Sequence, residues 1–207
     1  MKARSLFYGA AIAICTAAIT SQVVSQQDKG QPPEMSPEQA AMMQKWEEFM
    51  TPGEHHKLLE PKVGKWTAVV KMWMDPNQPE PTVSDAKAEY KWIMDGRYLL
   101  NTTEGDFGGM PFHGQAWEGY DNLKKKFAWV WIDNMGTGFM DAEGTYDAAT
   151  KTFTYNSMGP DVMSGKYVAG RSTEKWIDND HFVGDMYGPG PDGKVYKMME
   201  ISYTRAK

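Results

Sequence analysis

The chain has 207 residues, 41% hydrophobic and 24% charged, which is enough for one globular domain with a substantial core. Lys and Arg total 22 against 27 Asp and Glu, and this net charge of -5 excludes the basic surface of a nucleic-acid or anionic-membrane binder. The 20 Gly, 12 Pro and 8 Trp also exclude a coiled coil and a disordered chain.

The first 25 residues predict a signal peptide. Lys2 and Arg4 precede an apolar run at residues 6–19, which has the length of a signal-peptide core and is too short for a permanent membrane span. We expect cleavage after Ser25, with a retained membrane anchor as the alternative. The single cysteine, Cys15, lies in this segment, so the mature chain would have no thiol for disulfides, metal sites or catalysis. The protein is thus predicted to be exported, either periplasmic or secreted.

A flexible leader and a helical segment follow. Residues 26–37 are polar and rich in proline, and residues 38–60 are predicted to form short helices that begin after Ser36-Pro37. The first helix carries an apolar stripe that we expect to cover one mouth of the following domain. The stripe consists of Met42, Met43, Trp46, Phe49 and Met50.

Residues 61–207 are predicted to form a β-barrel domain. From Gly64 onward polar and apolar residues alternate, as in Lys87, Glu89 and Lys91 against Ala88 and its neighbours. Short, even intervals between turn signals give about ten strands, and no helix is long enough for a parallel crossover. The economical closure of such a sheet is an all-β, up-and-down antiparallel barrel with a short N-terminal helical segment.

A pattern that occurs twice in the chain supports a series of hairpins. The pattern Tyr120-Asp121-x-x-x-Lys125 recurs as Tyr146-Asp147-x-x-x-Lys151, with an aromatic residue two positions later in each case. Each copy joins an aromatic strand end to a turn that begins with Asp, so both are interpreted as hairpin corners.

Gly64-x-Trp66 opens the first predicted strand, and Arg205 lies near the end of the last one. This pairing resembles the structural signature of the calycins, which include lipocalins, fatty-acid-binding proteins and nitrobindins. In calycins a basic residue of the last strand covers the tryptophan of the first, and an arginine over an indole gains cation–π energy. Three further stretches carry a second resemblance: Pro52-Gly53-Glu54-His55-x-x-Leu58 running into Gly64-x-Trp66, the stretch from Gly119-Tyr120-Asp121 to Gly144-Thr145-Tyr146-Asp147, and Tyr203-Thr204-Arg205. They are similar to an uncharacterised family, domain of unknown function 1579, and this resemblance implies a lipocalin-like barrel and no established activity.

The sequence best fits an exported, lipocalin-like protein that binds a small, largely apolar molecule. No cofactor, metal, nucleic-acid partner or stable membrane insertion is predicted, and the oligomeric state stays open. A barrel of this size holds either packed side chains or one small ligand. The predicted lining residues are Tyr90, Trp92, Trp129, Trp131, His113, Glu143, Arg171 and Met199.

Three alternatives remain at this point. One is a barrel enzyme that uses Glu143, His113 and Arg171, with further inward carboxylates as candidates. Another is a haem protein of the nitrobindin kind with His113 or His181 as the iron ligand. The third is a packed barrel without ligand that serves as an interaction module. The further candidate carboxylates are Glu104, Asp106, Asp141, Asp185 and Glu200.

Two other patterns receive structural interpretations. The run Gly188 to Gly193 fits a dinucleotide-binding motif by letter, but its prolines lack N–H donors and a strand pattern follows, which favours a turn. The 16 methionines suit copper(I) chemically, yet they fall where core lining is expected. Whether they bind metal is left open.

Overall fold

A computed structural model describes residues Met35–Lys207. The predicted signal peptide at residues 1–25 and most of the leader at residues 26–37 lie outside the described residues. Residues Ala41–Lys207 form one compact unit, and the described residues before them belong to another. The elements are α1 (Pro37–Met50), α2 (Glu54–Lys57), a 3-10 helix (Glu60–Lys62), β1 (Gly64–Met72), β2 (Thr82–Ile93), β3 (Tyr98–Phe107), β4 (Met110–Asp121), β5 (Lys126–Asp133), β6 (Met140–Asp147), β7 (Thr152–Asp161), β8 (Lys166–Trp176), β9 (His181–Pro189) and β10 (Val195–Arg205).

The ten strands form a closed antiparallel barrel, which confirms the predicted fold class. Each strand pairs with its neighbours in the chain, and β1 pairs with β10 to close the sheet. In this last pairing Trp66 lies opposite Arg205 and Met72 lies opposite Met199. Closure leaves no open sheet edge among the described strands, which removes the surface on which open sheets aggregate.

The register fixes which residues face the lumen. Trp66 and Ala68 of β1 are 1% and 4% exposed, whereas Lys65 and Thr67 between them are exposed. Because direct neighbours in adjacent strands share a face, the pairing carries this assignment around the barrel. Once the lumen face of one strand is known, the pairing identifies the lumen face of the next strand, whether the residues on that face are polar or apolar.

An aromatic cluster fills the end of the barrel where β1 begins, called the closed end below. Trp66, Phe153 and Phe182 are each at most 1% exposed, and Leu59, which precedes the 3-10 helix, is fully buried. The Phe182 ring lies 4.9 Å from that of Trp66 in an edge-to-face arrangement that aromatic pairs favour. This end therefore contains the densest part of the core.

The two copies of the Tyr-Asp-x-x-x-Lys pattern form equivalent hairpin corners. Asp121 Oδ1 accepts a hydrogen bond from the N–H of Leu123 at 2.8 Å, and Asp147 Oδ1 accepts one from Ala149 at 2.9 Å. Lys125 and Lys151 both adopt left-handed backbone conformations, with φ of 54° and 53°. Local turn chemistry thus explains the repeated pattern.

Helix α1 begins with a reciprocal cap at its first turn. Ser36 Oγ accepts from the N–H of Gln39 at 3.2 Å, and Gln39 Oε1 accepts from the N–H of Ser36 at 2.9 Å. The helix starts at Pro37, one residue before the predicted segment.

The apolar stripe of α1 does not cover a mouth of the barrel, contrary to the prediction. No residue of α1 is buried, and Met42, Trp46 and Phe49 remain about half exposed. The C-terminal end of the helix lies instead at the β4–β5 turn, where the Asn122 side-chain amide donates to backbone carbonyl groups. The acceptors are the oxygens of Glu48, Phe49 and Thr51, at 2.9, 3.1 and 2.9 Å. Among residues 35–207, no helix is long and apolar enough to span a membrane.

Candidate functional site

The 3-10 helix inserts Lys62 into the closed end of the barrel. Pro61 fits the first turn of such a helix because its fixed φ suits that turn. Arg205 donates to Pro61 O at 2.8 Å and to Val63 O at 3.0 Å, so it holds the backbone on both sides of Lys62. Its guanidinium also lies 4.2 Å from the Trp66 ring, the contact that the calycin resemblance implies.

Lys62 ends in a buried ionic cluster inside the lumen. Its Nζ donates to both carboxylate oxygens of Glu118, at 2.8 and 2.7 Å, and also contacts Glu174. Tyr155 Oη donates to Glu118 Oε1 at 2.6 Å. These groups, with Tyr90 and Tyr203, form a belt of polar side chains across the lumen that we call the polar belt.

Burial and charge together set the pKa values in the polar belt. Burial disfavours the Lys62 ammonium, but the carboxylates of Glu118 and Glu174 outweigh that cost, so the pKa of Lys62 is raised. Burial raises the pKa of Glu174 although Lys62 opposes the shift. The pKa of Tyr203 rises to about 12, mainly through burial and then through the Glu174 carboxylate. Near neutral pH the belt therefore contains a lysine ammonium and neutral tyrosines.

Beyond the polar belt the large lumen-facing side chains are less completely buried. The fully buried ones, such as Trp66, Phe153 and Phe182, lie near the closed end, together with half-buried ones such as Trp92, whereas Trp131, Ile201 and Met199 toward the other end are all half-buried. Inside a closed sheet such residues contact solvent only if the lumen itself is accessible. Opposite Trp131 on the lumen face lies Ala116, whose small side chain occupies little of the lumen there. We call this region the open half.

The structure places five of the eight predicted lining residues on the lumen face. Trp131 and Met199 lie in the open half, and Trp129 packs 6.0 Å from Tyr155 at the polar belt. Tyr90 is 6% exposed and belongs to the belt itself. Trp92 lies toward the closed end, where its Nε1 donates to Glu60 Oε2 at 2.5 Å.

His113, Glu143 and Arg171 lie on the outer face of the barrel, which corrects their predicted place in the cavity. Each alternates with a buried lumen-facing neighbour, and all three are exposed. Glu143 forms a surface ion pair with Lys124. Three separate outer-face residues cannot act together inside the lumen. The register also places the other candidate carboxylates outside, namely Glu104, Asp106, Asp141, Asp185 and Glu200.

The two histidines considered as haem ligands do not reach the lumen. His113 is on the outer face, as described above. His181 is exposed at the start of β9, where its Nδ1 lies 2.8 Å from Asp178 Oδ1. The haem alternative therefore has no support from these two positions.

Sequence reasoning missed the residues of the polar belt other than Tyr90. Glu118 stands beside Trp117, and hydrophobicity alone would place the tryptophan inside and the glutamate outside. The structure shows the reverse, with Glu118 at 5% and Trp117 at 48% exposure. A usable signal was present, because Glu118 shares its alternation phase with Tyr120 and therefore its face.

Known proteins provide a match for the fold. The crystal structure of Rv2717c from M. tuberculosis superposes with a TM-score of 0.57 at 13% sequence identity, over 76% of this chain and 100% of that one. At this identity the similarity shows the fold alone. A redesigned β-barrel, b11L5F_LGL, gives a TM-score of 0.38 at 12% identity, over 72% of this chain and 96% of that one.

Sequence comparison assigns the family. No curated protein matches the chain. Residues 51–205, most of the chain and the whole barrel, match the family described as "Protein of unknown function (DUF1579)". The chain therefore belongs to the DUF1579 family, proteins of unknown function that are represented here by a closed ten-stranded barrel.

Proposed function

We propose that this protein is an exported binding protein that holds a small, largely apolar molecule in the open half of its barrel. The observation that carries the proposal is the partial exposure of lumen-facing apolar side chains, above all Trp131 and Ile201. A preformed apolar pocket buries most of the surface of a small ligand. Burial of apolar ligand surface contributes about 25 cal/mol per Å² before the costs of association.

Binding can be tested with N-phenyl-1-naphthylamine, a neutral apolar dye that fluoresces when it leaves water. We expect saturable binding of one dye per barrel. Ala116→Trp places an indole in the open half and should weaken dye binding by at least about tenfold, because little space for the dye remains. Gln115→Trp is the matched control, since Gln115 is the neighbouring outer-face residue.

The control should bind the dye as the natural chain does, to within about twofold. Far-ultraviolet circular dichroism shows whether each variant is folded, and Ile201→Phe provides a second lumen-filling change if the first does not fold. Absence of saturable binding in the natural chain, or equal weakening by Gln115→Trp, would contradict the proposed pocket.

Export is supported by the sequence of residues 1–25 alone. Expression of the full chain in a Gram-negative host, followed by cell fractionation and mass measurement, tests it. We expect the mature protein outside the cytoplasm with a mass that corresponds to cleavage near Ser25. An uncleaved cytoplasmic protein would refute the export part and leave the pocket untouched.

A further inference from the structure

The polar belt contains more carboxyl groups than cationic groups. Among the described residues, Glu118 and Glu174 share one ammonium, that of Lys62. Glu118 is fully engaged, since both its oxygens accept from Lys62 and one also accepts from Tyr155. Among the described residues, Glu174 has only its shared contact with Lys62. The belt therefore contains one carboxylate without a counter-charge of its own.

Solvent reaches Glu174, in contrast to its partners. Its side chain is 24% exposed, against 1% for Lys62 and 6% for Glu118. By register it lies opposite Gly184 on the lumen face. Glu174 is thus the one carboxylate of the cluster that a molecule in the lumen can contact.

The barrel wall beside this carboxylate has room for a small group. A Cβ added at Gly184 would make ordinary van der Waals contacts, with the Thr173 carbonyl oxygen at 3.9 Å and the Tyr203 ring at 4.0 Å. At Gly114, on the same face, a Cβ would instead lie 2.2 Å from the Trp131 ring. The lumen wall is therefore less tightly filled beside Glu174 than at Gly114.

Asn101 provides an independent sign that the belt can bind more than its own side chains. It faces the lumen between Tyr90 and Ala116 and is 5% exposed. Its Oδ1 accepts from Thr103 Oγ1 at 2.9 Å, but its Nδ2 has no hydrogen-bond partner among residues 35–207. This N–H is a donor, so a ligand ammonium cannot satisfy it; an acceptor atom carried by the ligand beside its amine would recover the free energy that the unpartnered group costs.

We propose that Glu174 binds a protonated amine, so that the ligand of this barrel is a small amphipathic amine. The inference rests on the proposed function and identifies its substrate class. The ammonium group would enter the space beside Gly184 and donate to the free oxygen of Glu174, a charge-assisted hydrogen bond. The apolar body would lie against Trp129, Trp131 and Ile201 in the open half. The uncompensated carboxylate repels carboxylate head groups, so fatty acids are excluded.

The test compares head groups on one apolar body. Isothermal titration calorimetry of the mature protein near neutral pH would use 1-naphthylmethylamine, 1-naphthaleneacetamide and 1-naphthaleneacetate. We expect the amine to bind at least about tenfold more tightly than the acetate, with the uncharged amide between them. Equal affinity for all three, binding of none, or preference for the acetate overturns the inference.

Variants locate the preference. Glu174→Gln keeps the shape of the side chain and should weaken amine binding by about tenfold or more while leaving the amide within about threefold. Glu143→Gln is the matched control, an exposed carboxylate on the outer face whose loss should change neither affinity. Unchanged amine affinity in Glu174→Gln overturns the role of Glu174.

A second variant keeps the inference testable if Glu174→Gln does not fold. Gly184→Val fills the space beside the carboxylate and suits a strand, and it should weaken amine binding at least about tenfold. Unchanged amine affinity in this variant also overturns the inference. The dye N-phenyl-1-naphthylamine separates the proposed pocket from the proposed amine preference. If the dye binds but the three head groups bind equally, the pocket is supported and the amine preference is refuted.

Discussion

Replacement of Lys62 by Met is the sharpest test of the buried cluster. Methionine retains much of the apolar stem and removes the ammonium, so Glu118 and Glu174 lose the counter-charge that they share. Removal of one partner from a buried ion pair costs about 3–5 kcal/mol. The free energy of unfolding of a single domain is about 5–15 kcal/mol, so this loss is a large fraction of it.

The loss can be measured by urea unfolding monitored with tryptophan fluorescence. If the denaturant slope is about 2 kcal/mol per M, a loss of about 4 kcal/mol lowers the urea midpoint by about 2 M. Lys57→Met is the matched control, since the Lys57–Glu54 pair has 71% and 86% exposed side chains and exposed pairs contribute little. The control should unfold close to the midpoint of the natural chain.

The cost of Lys62→Met should depend on pH. Burial raises the pKa of Glu174, and the loss of Lys62 removes the group that opposes this shift. A raised folded-state pKa means that stability is retained below the unfolded value, about 4.3, and is lost as pH rises through the folded one. The midpoint difference should therefore shrink at acid pH. An equal loss in both lysine variants, or a loss independent of pH, would refute the reasoning.

Three further predictions concern single positions. Glu174→Gln should raise the urea midpoint near neutral pH and change it little at about pH 4, because only the charged form of this buried carboxyl is disfavoured; a midpoint lowered at both pH values would contradict this. Arg205→Lys should lower the free energy of unfolding by about 1–2 kcal/mol in urea, because an ammonium cannot reproduce the two guanidinium hydrogen bonds to Pro61 O and Val63 O. An unchanged urea midpoint would show that these two hydrogen bonds contribute little. Gly114→Ala should cost about 1–3 kcal/mol in thermal or urea unfolding through the clash with Trp131, whereas Gly53→Ala, with open space around it, should not; similar midpoints for the two would show that Trp131 moves freely.

The barrel could be predicted because its pattern is local. Alternation in β2 and the turns that begin with Asp121 and Asp147 depend on residues close in the chain, and both are found in the structure. The contact between Trp66 and Arg205 joins distant residues, and it was accessible only through resemblance to other barrels. Local chemistry thus fixes strands and corners, whereas closure depends on long-range pairing.

Hydrophobicity alone does not predict the polar belt. Hydrophobicity assigns a face to a strand only when one side is clearly apolar, and in β4 an outward Trp117 adjoins an inward Glu118. Lys62 follows a proline in what reads as an exposed turn, and only the insertion of the 3-10 helix buries it. The prediction that His113, Glu143 and Arg171 line the cavity rests on their chemistry alone, because the sequence does not give the pairing register of the strands.

The order of the strands has a consequence for folding. Within residues 35–207, nine of the ten strand pairings join strands that are consecutive in the chain, and only the β1–β10 pairing joins distant ones. Hairpins between consecutive strands have low loop-closure costs, so they can form early, while the β1–β10 seam must wait for both ends of the sheet. Arg205 and Trp66 lie at that seam, so their contact forms only when the barrel closes. Substitutions there should mainly speed unfolding and leave the folding rate nearly unchanged.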